Sequence, residues 1–350
     1  MRLFSSIFPF ILTLTFVSTA HSQSTVVVVP LGGDEKPDNH IIVAPTKGDF
    51  TNPVDAVELI DDASESNVYR IYVAPGQYVV TEAIQMKPFV HVIGSGIGET
   101  TISGNVSSGG IGAASSLIVL SENSSISNFS AINGGGVSRS IGALNPSGVT
   151  AILSNIFVRG FGGQWNYGIV NNGNLTLENV TAESEDFTIN LTSFSYGLYD
   201  SSGSVVKNSV LRGIGGRSNF GSFTFGGATT DIFDSVVEGD ADNGALGDTA
   251  RVNAANGTVT LNRVIARSAG NAFFSGHGAF VRTSGSITAS HSIFQGKAGE
   301  EGILCDGSCD VTVETSTISE TPGSIGIGTA NFSCLATIDG GGSVLDAMCQ

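Results

Sequence analysis

One polar position recurs along the middle of this sequence and constrains what the chain can fold into. Successive occurrences lie 24 to 29 residues apart, and the position is held in turn by Asn128, Asn155, Asn179, Asn208, Asp234, Arg263, His291 and Thr315. Two residues before each occurrence, and three residues after it, the side chain is apolar. A period of this length, built from short strand-like phrases, is typical of a solenoid. The sequence therefore predicts stacked β-coils, eight of which the repeat marks directly.

The polar position is expected to mark a bend between two strands of each coil. In residues 175–182, apolar side chains alternate at period two, are interrupted by Asn179, and then resume. Alternation indicates a strand with one buried face. Asn tolerates left-handed backbone conformations and hydrogen-bonds to its own backbone, which suits a sharp corner. Because parallel strands stack about 4.8 Å apart, successive Asn amides are also expected to bond to one another as a ladder.

Less regular coils and a helix are expected upstream of the repeat. Residues 70–78 and residues 90–104 read as two earlier coils. Before them, Asn52 and Pro53 supply the N-cap and first position of a short helix. One face of this helix is apolar and comprises Ala56, Val57, Ile60 and Ala63. Such a helix is expected to cover the open end of the solenoid, which would otherwise expose its interior and a strand edge.

These upstream motifs carry a family resemblance. After the helix come I-x-V-x-P-G-x-Y at 71–78, V-x-V-I-G-x-G at 90–96 and T-x-I-x-G at 100–104. This order resembles the opening of the pectin lyase-like superfamily, and the Asn position resembles the Asn ladder of pectate lyases. The resemblance spans residues 50 to 320 and implies an all-β, right-handed parallel β-helix of about nine or ten coils with a short N-terminal capping helix. It implies no activity. The stretch 25–34 is similar to that of uncharacterised secreted bacterial β-helix proteins.

The ends of the chain predict export. Residues 1–22 combine Arg2, an apolar core and a small-residue exit, which is typical of a signal peptide. No later apolar run approaches the roughly 20 residues that span a bilayer. We therefore expect a secreted, periplasmic or cell-surface protein. The expected organisation is a signal peptide at 1–22, a lead segment at 23–49, the β-helix domain at 50–333 and a disulfide-tied end at 334–350.

Charge limits the partners that the mature chain is expected to bind. Removing Arg2 leaves 14 basic residues (15 − 1) against 31 acidic ones, a net charge of −17 (14 − 31). A surface of this sign repels nucleic acid and anionic lipid. It also argues mildly against a polyanionic substrate, whose charge needs cationic residues or bound metal to offset it. The sequence leaves the oligomeric state open.

Four cysteines, Cys305, Cys309, Cys334 and Cys349, lie close to the C-terminus. In an exported chain an even number of clustered cysteines indicates disulfides, for which three pairings exist. The pairing Cys305 with Cys309 and Cys334 with Cys349 is favoured because each bond closes a local loop. A zinc site built from the four thiolates is the alternative, but the spacing is not that of a zinc ribbon.

The candidate catalytic residues are Asp240, Asp242 and His277. The segment 276–278, Gly-His-Gly, is similar to the G-H-G segment of polygalacturonases, although the paired aspartates of that family are missing here. A hydrolase needs two carboxylates roughly 5 to 9.5 Å apart, and Asp240 and Asp242 are the nearest candidates. The simpler interpretation is a histidine beside glycines in a turn. The motifs of pectinesterases and pectate lyases are absent, as are G-x-S-x-G and H-E-x-x-H.

The same acidic stretch is a candidate calcium site. Calcium takes six to eight oxygen ligands, and the candidate ligands are Asp234, Glu238, Asp240 and Asp242, with Asp248 nearby. No EF-hand loop or RTX repeat is present, so a solvated acidic turn is the alternative. The sequence implies no other cofactor.

Aromatic residues give one candidate ligand contact. Trp165 lies in residues 161–167, which read as an inserted loop where the indole stacks on a sugar or covers a local apolar spot. His291 belongs to the recurring polar position and is expected to be a turn residue. The phenylalanines are expected to stack inside successive coils, and they include Phe220, Phe223, Phe225, Phe273, Phe274 and Phe280.

Two functions from different classes fit these observations. The leading hypothesis is an exported, non-catalytic β-helix that serves as a binding or structural module and contacts glycans. The alternative is a polysaccharide lyase or glycoside hydrolase with a divergent site on the same fold. The off-register segments of the C-terminal half, where acids, G-H-G and cysteines gather, are where a specific function is expected.

Overall fold

A computed structural model describes residues 39–136, 138–186, 192–240, 249–269, 276–296, 302–319, 330–339 and 343–345. These residues form one short α-helix, α1 (Pro53–Glu58), one 3-10 turn (Ala113–Ser115) and many short strands. Strands β1 to β30 are, in chain order, His40–Val43, Tyr69–Val73, Gly76–Val80, Ile84–Gln85, Val90–Ile93, Thr100–Gly104, Ser116–Val119, Ser124–Ser127, Ser130–Asn133, Arg139–Asn145, Thr150–Phe161, Trp165–Asn171, Asn174–Asp186, Phe194–Asp200, Gly203–Lys207, Val210–Gly215, Ser218–Phe225, Thr229–Phe233, Val236–Asp240, Thr249–Ala255, Thr258–Asn262, Ile265–Ala269, Gly276–Arg282, Ser286–Ser290, Ile293–Gln295, Ile303–Asp306, Cys309–Glu314, Thr317–Ser319, Ala330–Leu335 and Ile338–Asp339.

The strands stack into a parallel β-helix with three faces. Each strand pairs in parallel with the equivalent strand of the next coil, as β15 does with β18 and β18 with β21. The first face contains the strands before the recurring polar position and the second face the strands after it, and together they form a 21-stranded sheet. The third face is a separate sheet of nine strands, β4, β7, β10, β12, β14, β17, β20, β23 and β26. Nine coils with all three faces are described, and the predicted right-handed parallel β-helix is confirmed.

The recurring polar position is a left-handed corner at each of its eight occurrences. Its eight residues have φ angles between 44° and 62°, and Ala336 (φ 50°) adds a ninth corner. The predicted bend is therefore confirmed. The predicted amide ladder is reduced to one rung among the described residues, in which Asn179 Nδ2 donates to Asn155 Oδ1 at 3.2 Å. Further along, Arg263 Nη2 donates to Asp234 Oδ2 at 2.7 Å, so an ion pair takes the place of the amide pair.

A second hydrogen-bonded ladder lies one residue beyond the corner, on the buried side. Its hydroxyl groups belong to Ser209, Ser235, Ser292, Ser316 and Thr337, all buried. In one rung, Ser235 Oγ accepts a hydrogen bond from the backbone nitrogen of Ser209 at 3.0 Å. The same hydroxyl donates to the Phe233 carbonyl at 2.5 Å. These serines supply partners for backbone groups at the corner, where the strand pairing is interrupted.

The N-terminal coil is covered as predicted. Asn52 accepts a hydrogen bond from the Val54 backbone nitrogen at 2.9 Å, and Pro53 occupies the first turn of α1. The apolar side of the helix joins the main core through Val54, Ala56 and Val57. Strand β1, which the sequence assigned to the lead segment, pairs in parallel with β2 and forms an additional layer.

The C-terminal coils carry a disulfide. Cys305 and Cys309 form a disulfide across the turn between β26 and β27, as predicted. Cys334 is also disulfide-bonded, while Cys349 lies outside the described residues. Strand β29 continues the stack on β27, so the strand pairing extends to Leu335.

Candidate ligand-binding face

His277 lies on a strand rather than in the predicted turn. It belongs to β23 on the third face, and only 2% of it is exposed. Its imidazole lies against Phe280, with ring centroids 5.6 Å apart. Its backbone carbonyl accepts a hydrogen bond from Arg251 Nη1 at 2.7 Å. The histidine is therefore part of a packed strand and does not project from a loop.

The second glycine of the G-H-G segment, Gly278, is explained by packing. Five strands of the third face contain a four-residue phrase, in which the second residue is glycine and the fourth is apolar. The phrase occurs as I-G-A-L at 141–144, Y-G-I-V at 167–170, Y-G-L-Y at 196–199, F-G-S-F at 220–223 and H-G-A-F at 277–280. A Cβ at Gly168 would lie 2.7 Å from a carbonyl oxygen of the next coil, and one at Gly278 would lie 2.6 Å from such an oxygen. His277 and Gly278 therefore belong to one more copy of this structural phrase.

Arg251 is an unexpected residue that the sequence reasoning missed. It stands where the glycine belongs in β20, in the phrase A-R-V-N at 250–253. The side chain is fully buried, and its Nη1 donates to His277. A buried guanidinium needs hydrogen-bond partners because transfer of the charge from water is costly. The signal that points to it is the break in the glycine phrase between 221 and 278.

Two of the four predicted calcium ligands are engaged by arginines. Asp234 binds Arg263 at the corner, and this contact holds the pKa of the Asp234 carboxyl below its ordinary value. Glu238 is buried between two arginines on the second face. The Asp240 side chain lies outside the described part of the structure, as do Asp242 and Asp248 in full. Within the described ranges, no group of three or more His, Cys, Asp or Glu residues is arranged to hold a metal ion. The calcium site stays a prediction.

Glu238 belongs to a ladder of alternating charges on the outer side of the second face. Arg159, Glu183, Arg212, Glu238 and Arg267 occupy equivalent positions on five successive coils. Arg212 Nε donates to Glu238 Oε2 at 2.7 Å, and Arg267 Nε donates to Oε1 at 2.6 Å. Burial of the Glu238 carboxyl raises its pKa, but these two hydrogen bonds outweigh burial and leave the pKa lowered. The ladder gives the second face a structural role.

Trp165 lies on strand β12 of the third face, so the prediction of an inserted loop is wrong. Its ring stacks on Phe194 of the next coil, with centroids 4.1 Å apart. The Arg139 guanidinium, from the preceding coil, lies 5.5 Å from the indole centroid. Because both ring faces are covered, the indole presents only its edge to a ligand, and the predicted stacking of a sugar on Trp165 is not favoured.

The phenylalanines stack, but on the outer side of the third face rather than inside the coils. Tyr196 stacks on Phe220 at 5.2 Å, and Tyr199 on Phe223 at 5.5 Å, with the two pairs nearly perpendicular to each other. Leu198, directly before Tyr199, belongs to the main core, and successive residues of a strand point to opposite sides. Tyr199 therefore lies on the outer side, where its ring contacts the rings of Tyr196 and Phe223. The aromatic residues therefore form a second apolar cluster outside the coil interior. Phe273 and Phe274 lie outside the described residues.

Part of this cluster reaches the surface and forms the candidate site. Tyr199, Phe223 and Phe225 are each partly exposed, and we call them the aromatic patch. The Phe225 ring lies 4.6 Å from Tyr199 and 5.8 Å from Phe223. Burial raises the pKa of the Tyr199 phenol, so the patch is neutral at physiological pH. Sequence reasoning missed Tyr199, although the repeated third-face phrase marks its position.

A cation lies near the aromatic residues, and the described helices do not suggest a membrane span. Arg282 lies on the same face, with its guanidinium 4.2 Å from the centroid of the Phe280 ring. Across the described ranges, no helix is both long and apolar enough to cross a bilayer.

The likeness to known proteins is confined to the fold. No family model matches this sequence, and no curated protein matches it. A pectin methylesterase from carrot is similar in structure, with a TM-score of 0.44 and 11% identity over 89% of this chain and 86% of that one. The A-module of a mannuronan C-5 epimerase from Azotobacter vinelandii gives a TM-score of 0.46 and 13% identity over 82% and 89%. A pectin methylesterase from Aspergillus niger gives 0.41 and 15% over 88% of each chain. These values identify no activity and no ligand.

Proposed function

We propose that this protein is an exported, non-catalytic β-helix that binds glycans through the aromatic patch. The observation that carries the proposal is the grouping of Tyr199, Phe223 and Phe225 as partly exposed rings on one face of a rigid stack. Exposed apolar groups that cluster, rather than scatter singly, indicate interaction sites. Aromatic rings suit sugars because a sugar ring has apolar C–H faces and polar edges, and so matches an aromatic surface rimmed by polar groups.

The shape of the fold supports an extended ligand. The third face is continuous over nine strands, and adjacent strands lie about 4.8 Å apart. A polymer lying along this face would meet equivalent positions in successive coils. A solenoid surface built in this way is suited to extended partners.

The burial of the candidate histidine supports the non-catalytic part of the proposal. A general acid or base has to reach the reacting atoms directly or through one water, and only 2% of His277 is exposed. The alternative, a divergent polysaccharide lyase or glycoside hydrolase, requires turnover that depends on His277 or on Asp240 and Asp242. Export, which residues 1–22 predict, would bring the chain to extracellular glycans.

The test is a binding and turnover screen of the mature protein against neutral and uronate polysaccharides, with and without EDTA. We expect binding without turnover, and Tyr199→Ala should weaken binding at least tenfold, which is about 1.4 kcal/mol. Ile152→Ala is a matched control because Ile152 is 47% exposed on a different face, and it should leave binding unchanged. Turnover that disappears in Asp240→Ala or His277→Ala would favour the enzyme instead.

A further inference from the structure

Asn253 interrupts the aromatic cluster beside the patch. Strand pairing places Asn253 between Phe223 on the preceding coil and Phe280 on the following one. Its neighbours in β20, Val252 and Ala254, belong to the main core, so the Asn253 amide points to the outer side of the third face. An amide thus stands in a column of rings, about 4.8 Å from a member of the aromatic patch along the helix axis.

The Asn253 amide is buried without a hydrogen bond. The residue has no exposed surface, and neither Nδ2 nor Oδ1 has a hydrogen-bond partner in the structure. An unpaired buried polar group costs about 1–3 kcal/mol, so such groups in native proteins need an explanation. Another buried group without a hydrogen bond, Ser222 Oγ, lies between core residues and faces the interior. Asn253 faces the same side as the patch.

We infer that Asn253 is the hydrogen-bonding residue of the glycan site and that the site takes a neutral sugar bearing hydroxyl or acetamido groups. This inference rests on the proposed function. The amide offers one acceptor and two donor hydrogens, which match a hydroxyl or an acetamido group, since each of these also donates and accepts. A carboxylate at this position only accepts, so it would bind Nδ2 and leave Oδ1 facing another oxygen; the amide therefore selects against the carboxylate of a uronate, not against its hydroxyl groups.

The net charge of the chain also favours a neutral ligand. The sequence carries a formal net charge of −16, which disfavours the approach of a polyanion. Arg282, a cation on this face near Asn253, is engaged with the Phe280 ring. Because the amide is buried in the free protein, a ligand reaches it by displacing the partly exposed Phe223 ring beside it, whereas His277 lies against Phe280, which is itself buried. Polar groups that are left unpaired until the ligand arrives give strong discrimination against ligands that cannot pair with them.

The experiment compares Asn253→Leu and Asn253→Asp with the wild type and with Tyr199→Ala. The ligands are chitohexaose, cellohexaose and a galacturonate hexamer, and both affinity and the melting temperature are measured. Leucine has the same branching and number of heavy atoms as asparagine and removes an unpaired polar group, so Asn253→Leu should melt at the same temperature or higher. We expect the same variant to bind the neutral hexamers at least tenfold more weakly. Asn253→Asp, which loses the donor, should also bind them more weakly.

Each outcome separates the two claims. Neutral binding that Tyr199→Ala abolishes but Asn253→Leu leaves intact overturns the inference and retains the proposed function; the amide is then a structural group that holds a water. Tighter binding of the galacturonate hexamer than of either neutral hexamer also overturns the inference alone. Absence of binding by the wild type, or binding that Tyr199→Ala does not change, overturns the proposed function together with the inference.

Discussion

The charge ladder on the second face should contribute measurably to stability, and Glu238 is the residue that tests it. The Glu238 side chain is 5% exposed and bridges Arg212 and Arg267, which are 36% and 50% exposed. Breaking a fully buried ion pair by removing one partner costs about 3–5 kcal/mol, whereas an exposed pair contributes about 0–1 kcal/mol. Because the two arginines can regain water, we expect Glu238→Gln to lower the free energy of unfolding by about 2 kcal/mol.

The assay is chemical denaturation of the wild type and Glu238→Gln at several pH values. The pKa of Glu238 is lowered in the folded protein from its ordinary value of 4.5. The stabilisation is therefore fully present above that value and is lost as the pH falls through the lower folded pKa. The difference between the two proteins should shrink in acid, since the wild-type carboxyl then also becomes neutral.

Asp234→Asn is the matched control for the ladder. Its pair with Arg263 is largely exposed, with side chains 40% and 59% accessible, so its loss should change stability little. Equal losses in the two variants, or no loss in Glu238→Gln at neutral pH, would refute the reasoning that burial gives this ladder its effect.

Two further stability predictions follow from the corner and from the third face. Thr315 has a φ of 44°, a conformation that costs a β-branched residue about 1–2 kcal/mol, so Thr315→Gly should raise the melting temperature. The control, Thr312→Gly, lies inside β27 and should lower the melting temperature. A Cβ at Gly197 would lie 2.5 and 2.6 Å from backbone atoms of neighbouring segments, so Gly197→Ala should cost about 3 kcal/mol of unfolding free energy. Gly109→Ala, where a Cβ meets nothing within 4 Å, should be tolerated. A tolerated Gly197→Ala, or a destabilising Thr315→Gly, would contradict these assignments.

The corner could be predicted from the sequence because two constraints coincide there. Alternating apolar residues fix the strands on both sides, and the left-handed turn favours Asn, so both signals fall at a fixed spacing around residues such as Asn155 and Asn179. The serine ladder was missed because the position after the corner holds Ile156 and Val180 in some coils and Ser209 and Ser235 in others. An apolar residue or a serine can occupy this buried position, because the backbone groups at the corner can find hydrogen-bond partners elsewhere when the serine is absent.

The strands of the third face were harder to predict from the sequence because the number of residues between the corner and these strands varies. The residue that begins its phrase follows the corner by 12 residues at Tyr167, 17 at Tyr196 and 14 at His277. Segments of different length join the second and third faces, so a fixed period does not align the third-face strands. Glycine is typical of turns, so the sequence predicts a turn at His277, which lies between two glycines. The glycines 162 and 163 likewise placed Trp165 in a loop, although β12 begins at that residue.

The most direct test of the account is a crystal structure of the mature protein with chitohexaose or cellohexaose at saturating concentration. The account predicts a sugar ring against Tyr199 and Phe223, with a hydroxyl or acetamido group hydrogen-bonded to both atoms of the Asn253 amide. A hexasaccharide seated on the first or second face, or one on the third face that leaves the aromatic patch untouched, would contradict it.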